Sequence, residues 1–125
     1  MNVGRVVIID DDPELRRATR LVLTKAGYDS FEAADGEQGI AVIRSGDPPI
    51  NAIICDLDMP RVNGMEAIAY FHAHCPSVPV IVMTGTGDLN IATELYKQGI
   101  VDFLSKPVLP ETLVRSVEKA MKLHH

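Results

Sequence analysis

The stretch "VVIIDDDPE", Val6 to Glu14, decides how the rest of the chain is read. Four consecutive β-branched apolar residues run into three aspartates and a proline. Branched side chains suit a pleated strand, and an apolar run without polar alternation marks a strand covered on both faces, as in a parallel sheet. The aspartates need a separate reason. Carboxylates about 4 Å apart repel by about 4 kcal/mol at an effective dielectric of ~20. Such a cluster must be spread into solvent, used as a helix cap, or neutralised by a cation.

Outward from this stretch, strand and helix signals alternate five times. Strands are predicted at Arg5–Ile9, Tyr28–Ala33, Ala52–Cys55, Val80–Met83 and Asp102–Ser105. The first, third and fourth are almost wholly apolar. Helices are predicted from Pro13 to about Ala26, from Gly36 to Ser45, from Gly64 to before Pro76, from Asp88 to Gly99, and from Pro110 onward. In the first, Leu15, Ala18, Val22 and Ala26 share one face and Gly27 is the stop; in the last, Leu113, Val117, Ala120 and Met121 form the inner stripe. This alternation predicts an open α/β sheet with helices on both faces.

The chain of 125 residues is one domain, 46% hydrophobic and 23% charged, in the range of a soluble globular protein. Its net charge of −5 and the lack of a Lys/Arg run argue against a nucleic-acid surface in this domain. No apolar run approaches membrane-spanning length, and no signal peptide opens the chain. Cys55 and Cys75 lie in apolar surroundings and read as reduced core residues, so a reducing cytoplasm is the expected compartment. His124-His125 is consistent with the start of a purification tag and is given no functional weight, which leaves residues 1–123 as the domain.

In open α/β sheets, ligands bind beyond the carboxyl ends of the strands. At those ends lie Asp10 and Asp11, Asp56, Thr84 and Lys106. Singly, each has a plain reading: a turn aspartate, a strand-end hydroxyl, a solvated lysine. Together they form a kit for handling phosphate. Carboxylate oxygens suit Mg²⁺, which binds alongside phosphoryl oxygens. Asp56 is the natural nucleophile for an acyl phosphate, while Lys106 and Thr84 offer positive charge and a hydrogen bond to the transferring group.

The motifs "IIDDD" (8–12), "IICDLDMPRVNGMEAI" (53–68), "VIVMTGT" (80–86) and "DFLSKP" (102–107) closely resemble, in order and spacing, the receiver domain of two-component response regulators. The resemblance covers essentially the whole chain. It implies a five-stranded parallel sheet in the order 2-1-3-4-5 flanked by five helices, a flavodoxin-like doubly wound fold. It implies that Asp56 is phosphorylated by a histidine kinase and later loses the group to water, the domain catalysing its own reactions rather than turning over external substrates. Asp11 would be a direct Mg²⁺ ligand, Asp10 would act through water, and the backbone carbonyl of Asp58 would be the third protein ligand. Thr84 and Lys106 would contact the phosphoryl group, and Phe103 would be the aromatic switch residue. The Lys106-Pro107 bond is expected to be cis. Output would pass through the face of the fourth helix, fifth strand and fifth helix to an output domain or partner protein, with a phosphorylation-dependent homodimer as an option.

Other features carry weaker expectations. Asp12, before Pro13, is read as a helix cap, and Asn63-Gly64 as a turn whose glycine takes a backbone angle closed to other residues. Gly85 and Gly87 in "TGTGD" are read as loop hinges, and His72 and His74 as solvated. Asp58 and Thr86, each two residues beyond a site residue, are placed to tune phosphate lifetime; Asp58 could either repel or orient water. Two other classes compete. A haloacid dehalogenase-type phosphatase would share the "DLD" (56–58) pair, but that pair belongs on an early strand. A receiver-like binding module would have lost the nucleophile, an acid or the lysine, and all are present.

Overall fold

The computed structural model describes residues 4–60, 62–85 and 89–123. Its elements run β1 (Arg5–Ile9), α1 (Pro13–Lys25), β2 (Asp29–Ala33), α2 (Gly36–Ser45), β3 (Ala52–Asp56), α3 (Gly64–His74), β4 (Val80–Thr84), α4 (Leu89–Lys97), β5 (Asp102–Ser105) and α5 (Pro110–Leu123). All strand pairs are parallel, in the order β2-β1-β3-β4-β5. The chain first winds outward from β1 to β2 and then returns past β1 to β3. That reversal leaves a crevice between the carboxyl ends of β1 and β3, where such sheets bind ligands.

Alternation along each strand divides the core in two. Val7 and Ile9 of β1, Ile53 and Cys55 of β3, and Val80 and Val82 of β4 face Ile40 of α2, Ile68 and Phe71 of α3, and Leu95 of α4. Val6, Ile8, Ala52, Ile54, Ile81 and Met83 face Leu23 of α1 and Leu113, Val117 and Ala120 of α5. The unbroken apolar character of "VVII" therefore serves two hydrophobic layers at once. Burying each of the Val, Leu, Ile, Phe and Met side chains among these contributes about 1.5–3 kcal/mol.

Element boundaries match the sequence reading to within about a residue at most ends. β3 and β4 each extend one residue further, so Asp56 and Thr84 are the last residues of their strands. On α1 the expected inner face is rotated. Leu23 is the buried residue, while Leu15 is 46% exposed and Ala18 is also exposed. The stripe read from spacing lies instead along the cleft toward α5. Gly64 does not occupy a left-handed angle: it is the first residue of α3, capped by Asn63, whose side chain accepts from Met65 N and Glu66 N. Space is tight at Gly64, where an added Cβ would lie 3.1 Å from Leu57 Cδ1 and that side chain would have to give way. Gly27 does end α1, at φ +93°. Cys55 and Cys75 are free and buried, and His72 is half-buried, unlike the exposed His74. Thr86, Gly87, Asp88 and His124-His125 lie outside the described residues. No described helix is long and apolar enough to cross a membrane.

Candidate functional site

The acidic cluster follows from strand register. Ile9 pairs with Cys55, so the next residues, Asp10 and Asp56, emerge side by side at the crevice. Both are buried, whereas Asp11 is exposed. One carboxylate oxygen from each of Asp10, Asp11 and Asp56 lies within 4.8 Å of the others. Asp10 Oδ1 accepts the Asp12 N–H at 2.9 Å, but Asp10 Oδ2 is buried with no hydrogen-bond partner among the described residues. Burial above all, with the neighbouring Asp56 charge, pushes the Asp10 carboxyl up from 3.8 to about 6. An orphaned buried oxygen within a carboxylate cluster is what a hard cation would satisfy, so these residues fit Mg²⁺.

Lys106 approaches from β5. Its Nζ lies 2.8 Å from Asp56 Oδ1 and 3.2 Å from Asp58 Oδ2. Burial works to lower the lysine, but the two carboxylates outweigh it and hold its value above the ordinary one. The Lys106-Pro107 bond is cis, as is Asp47-Pro48. Asp56 Oδ1 also accepts the Asp58 N–H at 2.9 Å, which fixes the carboxylate at the turn after β3. Thr84, buried at the end of β4, donates its hydroxyl to Asp58 Oδ1 at 2.7 Å, and the Gly85 N–H donates to Asp58 Oδ2 at 2.7 Å. Burial favours protonation of Asp58, but its bonds to Thr84, Gly85 and Lys106 dominate and keep its carboxyl below the ordinary value.

The third aspartate of the opening run has the separate role its position implies. Asp12 caps α1, its Oδ1 accepting from Glu14 N at 3.0 Å and from Leu15 N. Phe103 is half-buried, and its place in β5 puts it on the same sheet face as Thr84, toward α3 and α4. Its N–H donates to the Tyr96 hydroxyl at 3.0 Å. Asp102 beside it accepts from Tyr96, Ser116 and Lys119, tying α4, β5 and α5 together. On the opposite face, an apolar groove of about 420 Å³ runs from Asp10 and Lys106 past Leu15, Ala18 and Val108 to Leu113.

All the site residues read from the sequence meet at one end of the sheet except Phe103, which sits lower on β5. One contributor was not legible, and the contacts of another were not. The Asp58 side chain, read from the sequence as acting on water, belongs to the site through its bonds to Thr84, Gly85 and Lys106. Arg16 also holds the backbone of Asp10, donating from Nη1 to its carbonyl at 2.7 Å while its Nε binds Glu32 of β2 at 2.9 Å. The helical spacing of Arg16 from the cap residue Asp12 was the available signal.

A flavodoxin-like, doubly wound sheet with an acidic crevice and a lysine at its carboxyl edge defines the CheY-type class of domain. Within that class, residues 6–118 match the family model of the response regulator receiver domain, and the chain belongs to that family, the receiver domains of two-component systems. It is 35% identical to the C4-dicarboxylate transport transcriptional regulatory protein DctD of Pseudomonas aeruginosa, over 95% of this chain and 25% of that protein. The chain thus spans about a quarter of that relative's length. It is 32% identical to the chemotaxis protein CheY of Thermotoga maritima, over 94% of this chain and 98% of the other. A receiver domain structure from Clostridium thermocellum superposes with a TM-score of 0.86 at 26% identity, covering 95% of this chain and 94% of that one. Receiver domains bind Mg²⁺ at an acidic pocket, the kind of pocket formed here by Asp10, Asp11 and Asp56.

Proposed function

We propose that this domain accepts a phosphoryl group on Asp56 from the phosphohistidine of a histidine kinase and signals through a change at its α4–β5–α5 face. A carboxylate oxygen of Asp56 attacks phosphorus, the P–N bond to the donor imidazole breaks, and the imidazole nitrogen keeps the electron pair and takes a proton. Hydrolysis of the resulting acyl phosphate returns the carboxylate and inorganic phosphate, so the domain resets itself and turns over no external ester.

The observation that carries this reading is the convergence of three carboxylates within 4.8 Å with Lys106 Nζ at 2.8 Å from Asp56. Phosphoryl transfer asks the protein mainly for position and positive charge. Lys106 is already seated against the nucleophile, and Thr84 stands at the next strand end. Asp11, Asp56 and the Asp58 backbone carbonyl would hold Mg²⁺ directly, with Asp10 acting through water. Bound there, the ion would offset the clustered charge and polarise the phosphoryl oxygens.

The switch reading rests on placement. Thr84 and Phe103 share a sheet face, so a shift of Thr84 toward the phosphoryl group would open space for Phe103 to turn inward. The exposed Ile91 and Tyr96 of α4 give that side an apolar surface for a partner, an output domain or a second copy. The DctD relative is a transcriptional regulator far longer than this chain, which supports a DNA-binding output elsewhere in a longer protein; the CheY relative, spanned almost whole, supports a free-standing regulator. A cytoplasmic setting with a histidine kinase as donor fits either arrangement.

Incubation with acetyl phosphate and Mg²⁺, followed by intact-mass measurement, tests the reading. A phosphoryl adduct lost in Asp56→Asn and in EDTA is expected. No adduct on the wild-type chain would refute it.

A further inference from the structure

The side chain of Asp58 does something that neither a loop residue nor a backbone metal ligand requires. Its carboxylate gathers three donors from two segments: at the end of β4, the Thr84 hydroxyl on Oδ1 and the Gly85 N–H on Oδ2, and after β5 the Lys106 ammonium, also on Oδ2. The first two contacts are 2.7 Å, short enough for strong charge-assisted bonds. Space is tight on that side, since a Cβ added at Gly85 would stand 3.2 Å from Asp58 Oδ2 and the carboxylate would have to give way by a few tenths of an ångström. Lys106 bridges Asp58 and Asp56, so the Asp58 carboxylate lies one ammonium away from the nucleophile.

We infer that the Asp58 carboxylate is an internal stand-in for the phosphoryl group, occupying its donors while Asp56 is unmodified and yielding them when Asp56 is phosphorylated. The inference rests on the reading of Asp56 as phosphoacceptor. A phosphoryl group there presents three equatorial oxygens that need donors. Thr84 has one hydroxyl hydrogen and Gly85 one N–H, so these donors cannot serve both anions fully. The anions also repel one another, and the Asp58 side chain, already 30% exposed, has open water to swing into once its donors turn to the phosphoryl group. The backbone carbonyl of Asp58 is untouched by that swing. The carboxylate therefore acts as a latch: it holds Thr84 and Gly85, at the start of the connection to α4, in the unphosphorylated position. Releasing it becomes part of the work of activation. Of the two roles the sequence left open for Asp58, repelling or orienting water, neither is needed to explain its contacts.

The test uses beryllofluoride, a tetrahedral phosphoryl-shaped anion that binds carboxylates, at saturating Mg²⁺, followed by the Gly85 amide resonance. Asp58→Ala should bind it about tenfold more tightly than wild type, with Asp58→Asn, which keeps an acceptor but loses the charge, in between. In ligand-free Asp58→Ala the Gly85 amide should exchange with solvent faster. Unchanged or weaker binding by Asp58→Ala, or an Asp58→Asn that binds as tightly as Asp58→Ala so that lost repulsion alone explains the gain, overturns the latch while leaving wild-type binding, and the phosphoacceptor reading, intact. A wild-type chain that takes neither beryllofluoride nor phosphate from acetyl phosphate would remove both readings together.

Discussion

Replacing Asp10 with asparagine should make the metal-free protein more stable, although it damages the proposed cation site. The carboxyl is fully buried beside Asp56, and its value is raised from 3.8 to about 6. A group raised on folding binds more protons in the native state, so between pH ~4 and ~6 stability falls as pH rises, and above that window the loss is complete. At ~1.4 kcal/mol for each tenfold change, the ionised form costs the fold about 3 kcal/mol at pH 7. The Asp10→Asn amide keeps an acceptor for the Asp12 N–H and turns an NH₂ toward the oxygens near Asp56, so it removes that cost without creating a void. With an unfolding entropy of ~2.1 cal/mol/K per residue, the gain corresponds to a rise of about 10 °C in Tm. Thermal melts in EDTA at pH 7 measure it directly. The advantage should shrink as pH falls toward ~4, where the wild-type carboxyl is itself protonated, and saturating Mg²⁺ should raise the Tm of wild type more than that of the variant. A variant no more stable than wild type at pH 7 in EDTA would show that the buried charge is compensated by something other than a cation, and would refute the reasoning.

Two further predictions separate structural from chemical roles. Asp12→Ala should lose about 1 kcal/mol in urea unfolding through the missing α1 cap, while the acetyl phosphate adduct on Asp56 still forms. Asp102→Asn should lose about 1–2 kcal/mol at pH 7. Burial raises the Asp102 carboxyl, but Ser116, Lys119 and Tyr96 together hold it below 3.8, so its contribution is present above that pH and is lost as pH falls through the lower native value. Unfolding curves of the two proteins should converge at acid pH.

The legible parts of this fold are those fixed by local chemistry. Unbroken apolar runs marked the central strands, and Pro13, Gly27 and Pro110 punctuated helices where they occur in the structure. Knowing that strands are parallel and alternate with helices was enough to send Asp10, Asp56, Thr84 and Lys106 to one end of the sheet, because each directly follows or ends a strand. Other features depend on contacts that no local pattern encodes. The rotation of α1 is set by how α5 packs beside it, which leaves Leu15 in a groove rather than the core. Gly64 looked like a turn glycine because Asn-Gly usually is one, yet it opens α3 without a positive φ and lies close against Leu57. The side-chain role of Asp58 depends on where the β4 end and Lys106 fall in space, and spacing along the chain says nothing of that.

The charge balance of the site explains why its parts are coupled. Asp10, Asp11, Asp56 and Asp58 bring four carboxylates to a place where Lys106 is the ammonium in contact. Parallel register forces Asp10 and Asp56 together, so a cation is the direct remedy for that pair. Asp58 is different: it solves its own problem by taking Thr84, Gly85 and half of Lys106. The lysine is thereby shared between Asp56, the proposed nucleophile, and Asp58, which on the latch reading would compete with the product. A phosphoryl group on Asp56 would raise the negative charge further and give Lys106 a stronger partner, so the sharing would become unequal and Asp58 would lose its hold. A local change of charge at Asp56 would in this way be tied to the hydroxyl and amide that lead into the connection to α4.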